Sequence, residues 1–376
     1  MAERNVRHIG RAMEYPYEGP PPKKQVAYVF DTNKCIECQT CTVACKTCWT
    51  SGKGQEQIFW NNVETKPYGG YPLGWDRRLL EVSNPAHWAK DRLESKTIFE
   101  QKDKPTDPPL GFRPVSDDYR MPNLGEDDCT EKLAKGAHFA GLHPTWMFYL
   151  ARICNHCDNP ACLAACPRKA IYKRDEDGIV LVDQERCRGY QECVRACPYK
   201  KVFYNLVSRS SEKCIGCFPR VEQGLVALCV ESCIGKIRMH GFLETNSQPR
   251  EDNPIDLIVR IRKLALPLYP QFGTGPNVYY IPPLHVGLGF LEMMFGPGVE
   301  QSLSMYREIA KDRQLLGALL LFGATNHIIH RFAVEGNIAV GWNEAGDELV
   351  RVPFTEPTVI RDPFDTKAGA YRHNTT

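Results

Sequence analysis

The chain has 376 residues, 43% of them hydrophobic, enough to bury a substantial core in two or three domains. Lys plus Arg number 47 against 45 for Asp plus Glu, so no strong field points to nucleic acid or to an acidic membrane surface. The 17 cysteines are too few to staple a chain of this length and sit in short groups, as metal ligands do, which calls for metal insertion in a reducing cytoplasm.

In chain order, residues 1–26 read as a Pro-rich N-terminal arm. It shows no apolar signal-peptide core and no twin-arginine pair. The longest apolar run, Leu315 to Ala324, falls short of the roughly 20 residues that cross a bilayer. The expectation is a soluble chain with no direct membrane span, carried to any other compartment by something else. The apolar run Val26–Phe30 predicts a strand leading into the first cysteine group, Cys35, Cys38, Cys41 and Cys45. Residues 66–143 read as an insertion rich in turn formers (KDKPTDPPLGFRP), with Cys129 standing alone in it. The second group is Cys154, Cys157, Cys162 and Cys166, followed directly by Pro167; AIYKRDEDGIVLVD then predicts strand, acidic turn, strand. The third group is Cys187, Cys193 and Cys197, again followed by proline, and the fourth is Cys214, Cys217, Cys229 and Cys233. Residues 246–376 contain no cysteine. They predict an extended opening (LPLYPQFGTGPNVYYIPP), helices near Val299–Ile309 and Arg313–Leu321, and a hairpin of Ile338–Trp342 with Glu348–Val352 around NEAG.

These groups are versions of the bacterial ferredoxin signature, in which three close cysteines grip one cubane and the fourth ligates its partner cluster. Only 20 residues, 167 to 186, separate groups two and three. They make one ferredoxin-like unit at 144–206, while groups one and four make a split unit at 27–65 plus 207–245. The expected fold class is α+β: two ferredoxin-like (4Fe-4S type) units related by pseudo-symmetry, with a long central insertion and a C-terminal wrap. Ligand exchange then gives four sets. Cys35, Cys38, Cys41 and Cys233 hold one [4Fe-4S] cluster; Cys45, Cys214, Cys217 and Cys229 a second; Cys154, Cys157, Cys162 and Cys197 a third. Cys166, Cys187 and Cys193 are left for the fourth, because Tyr190 stands where the second cysteine of a C-x2-C pair belongs. A corner without thiolate loses its iron, so the expectation there is [3Fe-4S], with a four-iron cluster bound by the tyrosine oxygen or water as the alternative.

Structural zinc is the bland reading of the cysteines, but fifteen thiolates do not divide into sets of four. Haem attachment fails because no C-x-x-C precedes a histidine. Cys48 and Cys129 read as idle thiols. His156 reads as a loop histidine satisfied by backbone, with donation to a cluster sulfur as the sharper reading. Lys169, Lys173, Lys200, Lys201, Lys213, Arg220, Lys236 and Arg238 crowd the cysteine segments, where positive charge raises a cluster's potential, although some read as solvated surface. His327 and His330 are spaced for one helical face and read as structural. No phosphate loop, nucleophile elbow or paired carboxylate is present, so the chain itself breaks no substrate bond.

The four groups, with CIECQTCTVACKTCWT, GQEQIFWNNVETKPYGGYPLGWD, CRGYQECVRACPYKK and ALPLYPQFGTGPNVYYIPP, resemble the beta subunits of molybdenum enzymes of the dimethyl sulfoxide reductase family. The likeness is to the branch of nitrate reductase, nitrite oxidoreductase, ethylbenzene dehydrogenase and the selenate, chlorate and perchlorate reductases. It runs from Gly10 to the C-terminal hairpin and is weakest around 85–140. In nitrate reductase a tryptophan holds the position of Tyr190, beside that family's three-iron cluster. The resemblance implies an electron-transfer subunit between a molybdopterin-containing alpha subunit and a haem b gamma subunit or membrane anchor. Molybdopterin and haem b would belong to those partners only. It also implies a periplasmic location, co-exported with a twin-arginine-bearing partner, with a cytoplasmic, membrane-associated site as the alternative. Two other readings remain at this point: a cluster subunit of formate dehydrogenase or hydrogenase type, and a stand-alone polyferredoxin carrier.

Overall fold

The Pro-rich arm folds back on itself in the computed structural model, where β1 (Ala2–Val6) pairs antiparallel with β2 (Arg11–Tyr15). The structure describes residues 2–17, 19, 21–67, 86–100, 147–245 and 248–354, with the backbone alone of 364–365 and 370–371. Cys129 and most of the insertion lie outside the described residues. The described part of the insertion is not a mere excursion. Leu93, Ile98 and Phe99 are buried in the main core. The Arg11 guanidinium clasps Glu100 through both terminal nitrogens at 2.7 Å and donates from Nε to the Leu93 carbonyl at 2.7 Å.

The strand expected at Val26–Phe30 is β3 (Lys24–Asp31), and seven of its eight residues are buried. Such a near-continuous apolar run belongs to a strand covered on both faces. The first cysteine group follows, ending in the helix Thr40–Trp49. Next, β4 (Asn62–Pro67) leads into the insertion and its small ribbon β5 (Trp88–Ala89) and β6 (Arg92–Leu93), and β7 (Met147–Arg152) leaves it. Strands β4 and β7 pair antiparallel, closing the insertion at its base. Group two is followed by the hairpin β8 (Ile171–Lys173) and β9 (Val180–Val182), where the strand–turn–strand was expected. Group three is followed by the hairpin β10 (Val202–Asn205) and β11 (Ser210–Lys213), and group four by β12 (Arg238–Glu244).

The tail is more than a wrap. Strands β13 (Leu266–Pro267) and β14 (Val278–Ile281) join a four-stranded sheet in the order β12-β3-β14-β13, with β14 parallel and β12 antiparallel to β3. This sheet divides the interior. Val26, Tyr28 and Phe30 of β3, with Val278 and Tyr280 of β14, face the core that contains the cysteines. Ala27, Val29, Tyr279 and Ile281 face a second core built from the tail, as the two-residue period of a strand requires. The second core is covered by the helix Arg313–Ala324, capped by Asp312 Oδ1 accepting from Leu315 N–H at 3.0 Å. The meander β15 (Arg331–Glu335), β16 (Ile338–Trp342) and β17 (Glu348–Pro353) completes it, with the expected hairpin in place. Helices Val299–Arg307 and Arg313–Ala324 lie where the sequence predicts them; the helix Leu288–Phe295 adds a third. His327 and His330 do not share a helical face, since the helix ends at Ala324 and both fall in extended chain beyond it. Among the described residues no helix is long and apolar enough to cross a membrane.

Candidate metal centres

All four cysteine groups use one backbone device. Their third residues, Glu37, His156, Gly189 and Gly216, have φ from 42° to 68°. That left-handed region costs a non-glycine residue about 1–2 kcal/mol, so its recurrence marks a required loop shape. At Gly189 a Cβ would stand 2.6 Å from the Arg209 carbonyl oxygen, so glycine is needed for the close approach as well. Three residues after the last cysteine of groups two, three and four, Lys169, Lys200 and Lys236 take φ of 48° to 50°. The next N–H then turns back on the thiol: Ala170 N–H donates to Cys166 Sγ at 3.3 Å and Lys201 N–H to Cys197 Sγ at 3.5 Å.

The last two cysteines of each group stand four residues apart, one helical turn. One short segment can therefore serve two neighbouring cages. Cys45 meets Cys214, Cys217 and Cys229, and these four line one cavity. Cys35 lies in the field of Cys41 and Cys233, while the exposed Cys38 faces the same Arg238 guanidinium that Cys35 does. Cys157 and Cys162 share the neighbourhood of Cys154 and Cys197. Cys193 lies with Cys166 and Cys187. Ser211 ties this last set together, its N–H donating to Cys187 Sγ at 3.3 Å and its hydroxyl oxygen accepting from Cys193 Sγ at 3.3 Å. Cys48 is exposed and outside every set. Burial pushes the Cys193 thiol up to about 11 and the Cys214 thiol up to about 12. Thiolates here need a bound cation to hold them.

The residues around these sets fit sulfur-rich, anionic groups. The Trp49 indole N–H of the Cys45 cavity is directed at the Cys217 thiol, while the Trp60 indole N–H and the Asn61 amide N–H of the same cavity are buried and have no hydrogen-bond acceptor among the described residues. A buried donor left in that state costs about 1–3 kcal/mol, and cluster sulfurs are acceptors. His156 and His240 are fully buried, each accepting a backbone N–H at Nδ1, from Val180 at 3.1 Å and from Ala227 at 3.0 Å. Burial keeps both imidazoles neutral, with the His240 value lowered to about 3, so their Nε2 atoms carry the hydrogen. Neither Nε2 has an acceptor among the described residues. Of the cations flagged by the sequence, Lys201, Lys213 and Arg238 are buried, Lys173 is half-buried, and Lys169 and Lys236 are solvated surface. Among the described residues no three Cys, His, Asp or Glu side chains close on one point as ligands of a single ion.

The tail also reaches the second group. Asn277 Nδ2 donates to the His156 carbonyl at 3.1 Å and to Asp158 Oδ1 at 2.9 Å, and Asp158 N–H donates to the Gly275 carbonyl at 2.8 Å. The Thr274 hydroxyl, 2.8 Å from Tyr199 Oη, opposes the rise that burial imposes on the Cys157 thiol. Ser211, Trp49, Trp60, Asn61 and Thr274 carry no spacing signal of their own; only the fold brings them to the cysteines.

A family model described as "4Fe-4S dicluster domain" matches residues 145–243. The selenate reductase subunit beta of Thauera selenatis is 42% identical over 341 residues, covering 81% of this chain and 98% of that protein. The chlorate reductase subunit beta of Ideonella dechloratans is 42% identical over 345 residues, with the same coverage of 81% and 98%. The respiratory nitrate reductase 1 beta chain of Escherichia coli (strain K12) is 34% identical over 358 residues, covering 70% of each chain.

Proposed function

Since this chain belongs to the iron–sulfur beta subunits of the dimethyl sulfoxide reductase family of molybdenum enzymes, we infer that its cages hold three [4Fe-4S] clusters and one [3Fe-4S] cluster. It relays electrons between a molybdopterin-bearing catalytic alpha subunit and a haem b gamma subunit or membrane anchor. The observation that carries this reading is the convergence of cysteines from groups far apart in sequence, above all Cys45 with Cys214, Cys217 and Cys229 around one cavity. Cys35, Cys38, Cys41 and Cys233 take a second [4Fe-4S] cluster, and Cys154, Cys157, Cys162 and Cys197 a third. Cys166, Cys187 and Cys193 take the [3Fe-4S] cluster. Tyr190 is 62% exposed, which supports the three-iron form over a tyrosine-ligated one.

The recurring left-handed third residue and the strand or hairpin that follows groups two, three and four support two pseudo-symmetric ferredoxin-like units, at 144–206 and at 27–65 plus 207–245. Bound clusters take up and release single electrons; the chain itself supplies position, hydrogen-bond donors and shelter from water. Exposed Ile36, Val43 and Ile234 border the cage of the exposed Cys38 and offer an apolar docking rim for the catalytic subunit. Exposed Tyr190, Leu206 and Val207 do the same beside the three-cysteine cage for the electron-exchange partner. The location we assign is the periplasm, reached folded alongside a twin-arginine-bearing alpha subunit, because thiols of this kind must be filled before export.

The test is to purify the chain from its native source, weigh iron and molybdenum in the same sample and identify co-purifying chains by mass spectrometry. A stoichiometric molybdenum protein with at least about 15 iron atoms per beta chain is the expected result, three clusters of four and one of three being the beta chain's share and any excess belonging to the partners. Iron without molybdenum or partner returns the chain to the free-carrier class.

A further inference from the structure

Resting on that assignment of ligands, we propose that Arg238 is a positioning residue shared by two neighbouring cages, and that with the N–H donors of Asn61, Trp49 and Trp60 it sets their reduction potentials. Arg238 serves both cages; the two indoles serve one.

Arg238 opens β12 on the cysteine face of the sheet, opposite Phe30 of β3 in register. Its guanidinium lies over the Phe30 ring, 4.5 Å from the centroid, and the residue is 2% exposed. Nη1 donates to Asn61 Oδ1 at 3.2 Å, and the guanidinium is also directed at the Cys229 thiol, while Nη2 meets no oxygen or nitrogen acceptor among the described residues. The leading charges in its field are thiols: Cys229 from one cage, and Cys41, Cys233 and Cys35 from the other. A buried cation without a counter-charge is costly by several kcal/mol, so the compensating charge belongs to the two anionic cages between which it stands.

The donors beside it are arranged asymmetrically. Asn61 spends its oxygen on Arg238, which leaves its amide N–H pointing into the cavity of Cys45, Cys214, Cys217 and Cys229. Trp49, at the end of the helix Thr40–Trp49, and Trp60 line the same cavity. An indole has a donor and no acceptor, so the Trp49 N–H serves the Cys217 sulfur of this cage and the Trp60 N–H, unpaired among the described residues, is free to serve an acceptor inside it. A fixed cation and N–H donors favour the reduced, more negative form of a cluster and raise its potential. The cage of Cys45 therefore receives two indoles, an amide and a shared cation, whereas the cage of Cys35 receives the shared cation.

The experiment is an EPR-monitored redox titration of the purified holo complex, with iron counted in each sample. Trp60→Phe should lower the midpoint of one [4Fe-4S] centre by about tenfold in its redox equilibrium, or about 59 mV for one electron, and leave the others in place. Arg238→Met should lower two midpoints by at least as much, and Arg238→Lys, which keeps the charge, should restore most of the loss. Full iron with Arg238→Met and no midpoint moved, or all moved equally, overturns the proposal. If Arg238→Met does not assemble, Trp60→Phe decides: no shift, or a shift in more than one centre, overturns it. Fewer than four centres in the unmutated protein would instead fail the ligand assignment itself, which separates the two failures.

Discussion

At the scale of single residues, Tyr190 offers the sharpest test. It stands where a second cysteine would complete the loop Cys187–Cys193, with its ring turned to solvent. Tyr190→Cys should convert the proposed three-iron cluster to a four-iron one. Low-temperature EPR of the oxidised variant should lose the three-iron signal, and its full retention would show that the vacant corner lies elsewhere. Asn277 is a second case, since it ties the tail to the loop of the second group through two donated bonds. Asn277→Ala should cost about 1–3 kcal/mol by leaving those acceptors unpaired; the readout is faster iron loss to a chelator, and unchanged loss rates would make the tie dispensable. The cysteines were legible in the sequence because cluster chemistry tolerates few other residues at those spacings. Trp49, Trp60 and Asn61 were not, because an aromatic or an amide has ordinary roles in any core and only the fold aims it into a cage.

At the scale of elements, the ladder between β4 and β7 holds a buried charge cluster. Glu64 pairs with Arg152 and, at 3.4 Å, with Lys66. Burial alone would raise its carboxyl, but Arg152, Lys66 and Lys201 outweigh it and hold the group below its ordinary 4.5. The depressed value means that this stability is complete above pH 4.5 and is lost as the pH falls through the folded-state value, where the unfolded chain binds the extra proton. Glu64→Gln should cost about 3–5 kcal/mol at neutral pH, the penalty for leaving buried cations uncompensated. Thermal unfolding of the two proteins should converge as the pH drops below 4.5; parallel curves would refute the pairing. Strand β3, the hairpin β16–β17 and the helices at Val299 and Arg313 were readable from local period and turn residues. The helix Leu288–Phe295 was not, because its run is apolar on nearly every side and opens among glycines. The helical face that the spacing of His327 and His330 suggests is absent because Thr325 already starts extended backbone, while their reading as structural residues stands untouched.

At the scale of the whole molecule, charge is nearly balanced at +2, so association must rest on shape and apolar rims rather than on a global field. Ile36 and Ile234 are 69% and 67% exposed beside one cage. Ile36→Glu combined with Ile234→Glu should reduce the molybdenum protein recovered with this chain at least tenfold while leaving iron per chain unchanged; undiminished recovery would move the docking face elsewhere. The parallel pairing of β14 with β3 was beyond the sequence, since strands some 250 residues apart carry no local mark of their adjacency. Only the finished core, with alternate residues of β3 in two different interiors, selects that partner.

The interleaving of cysteine groups also sets a timetable. With the ligand sets proposed above, the chain emerging from the ribosome would complete the three-cysteine cage at Cys193 and the cage of Cys154 at Cys197, then the cage of Cys45 at Cys229 and that of Cys35 at Cys233. Strand β3 waits longer still, until Ile281, for its second neighbour. At about 5–20 residues per second, that is roughly 14 to 56 s of synthesis. The sites nest like brackets, so the first thiols made belong to the last cage sealed. Iron delivered during translation can finish the inner sites first, and the outermost cluster closes only once the chain has been made as far as Cys233 of its 376 residues.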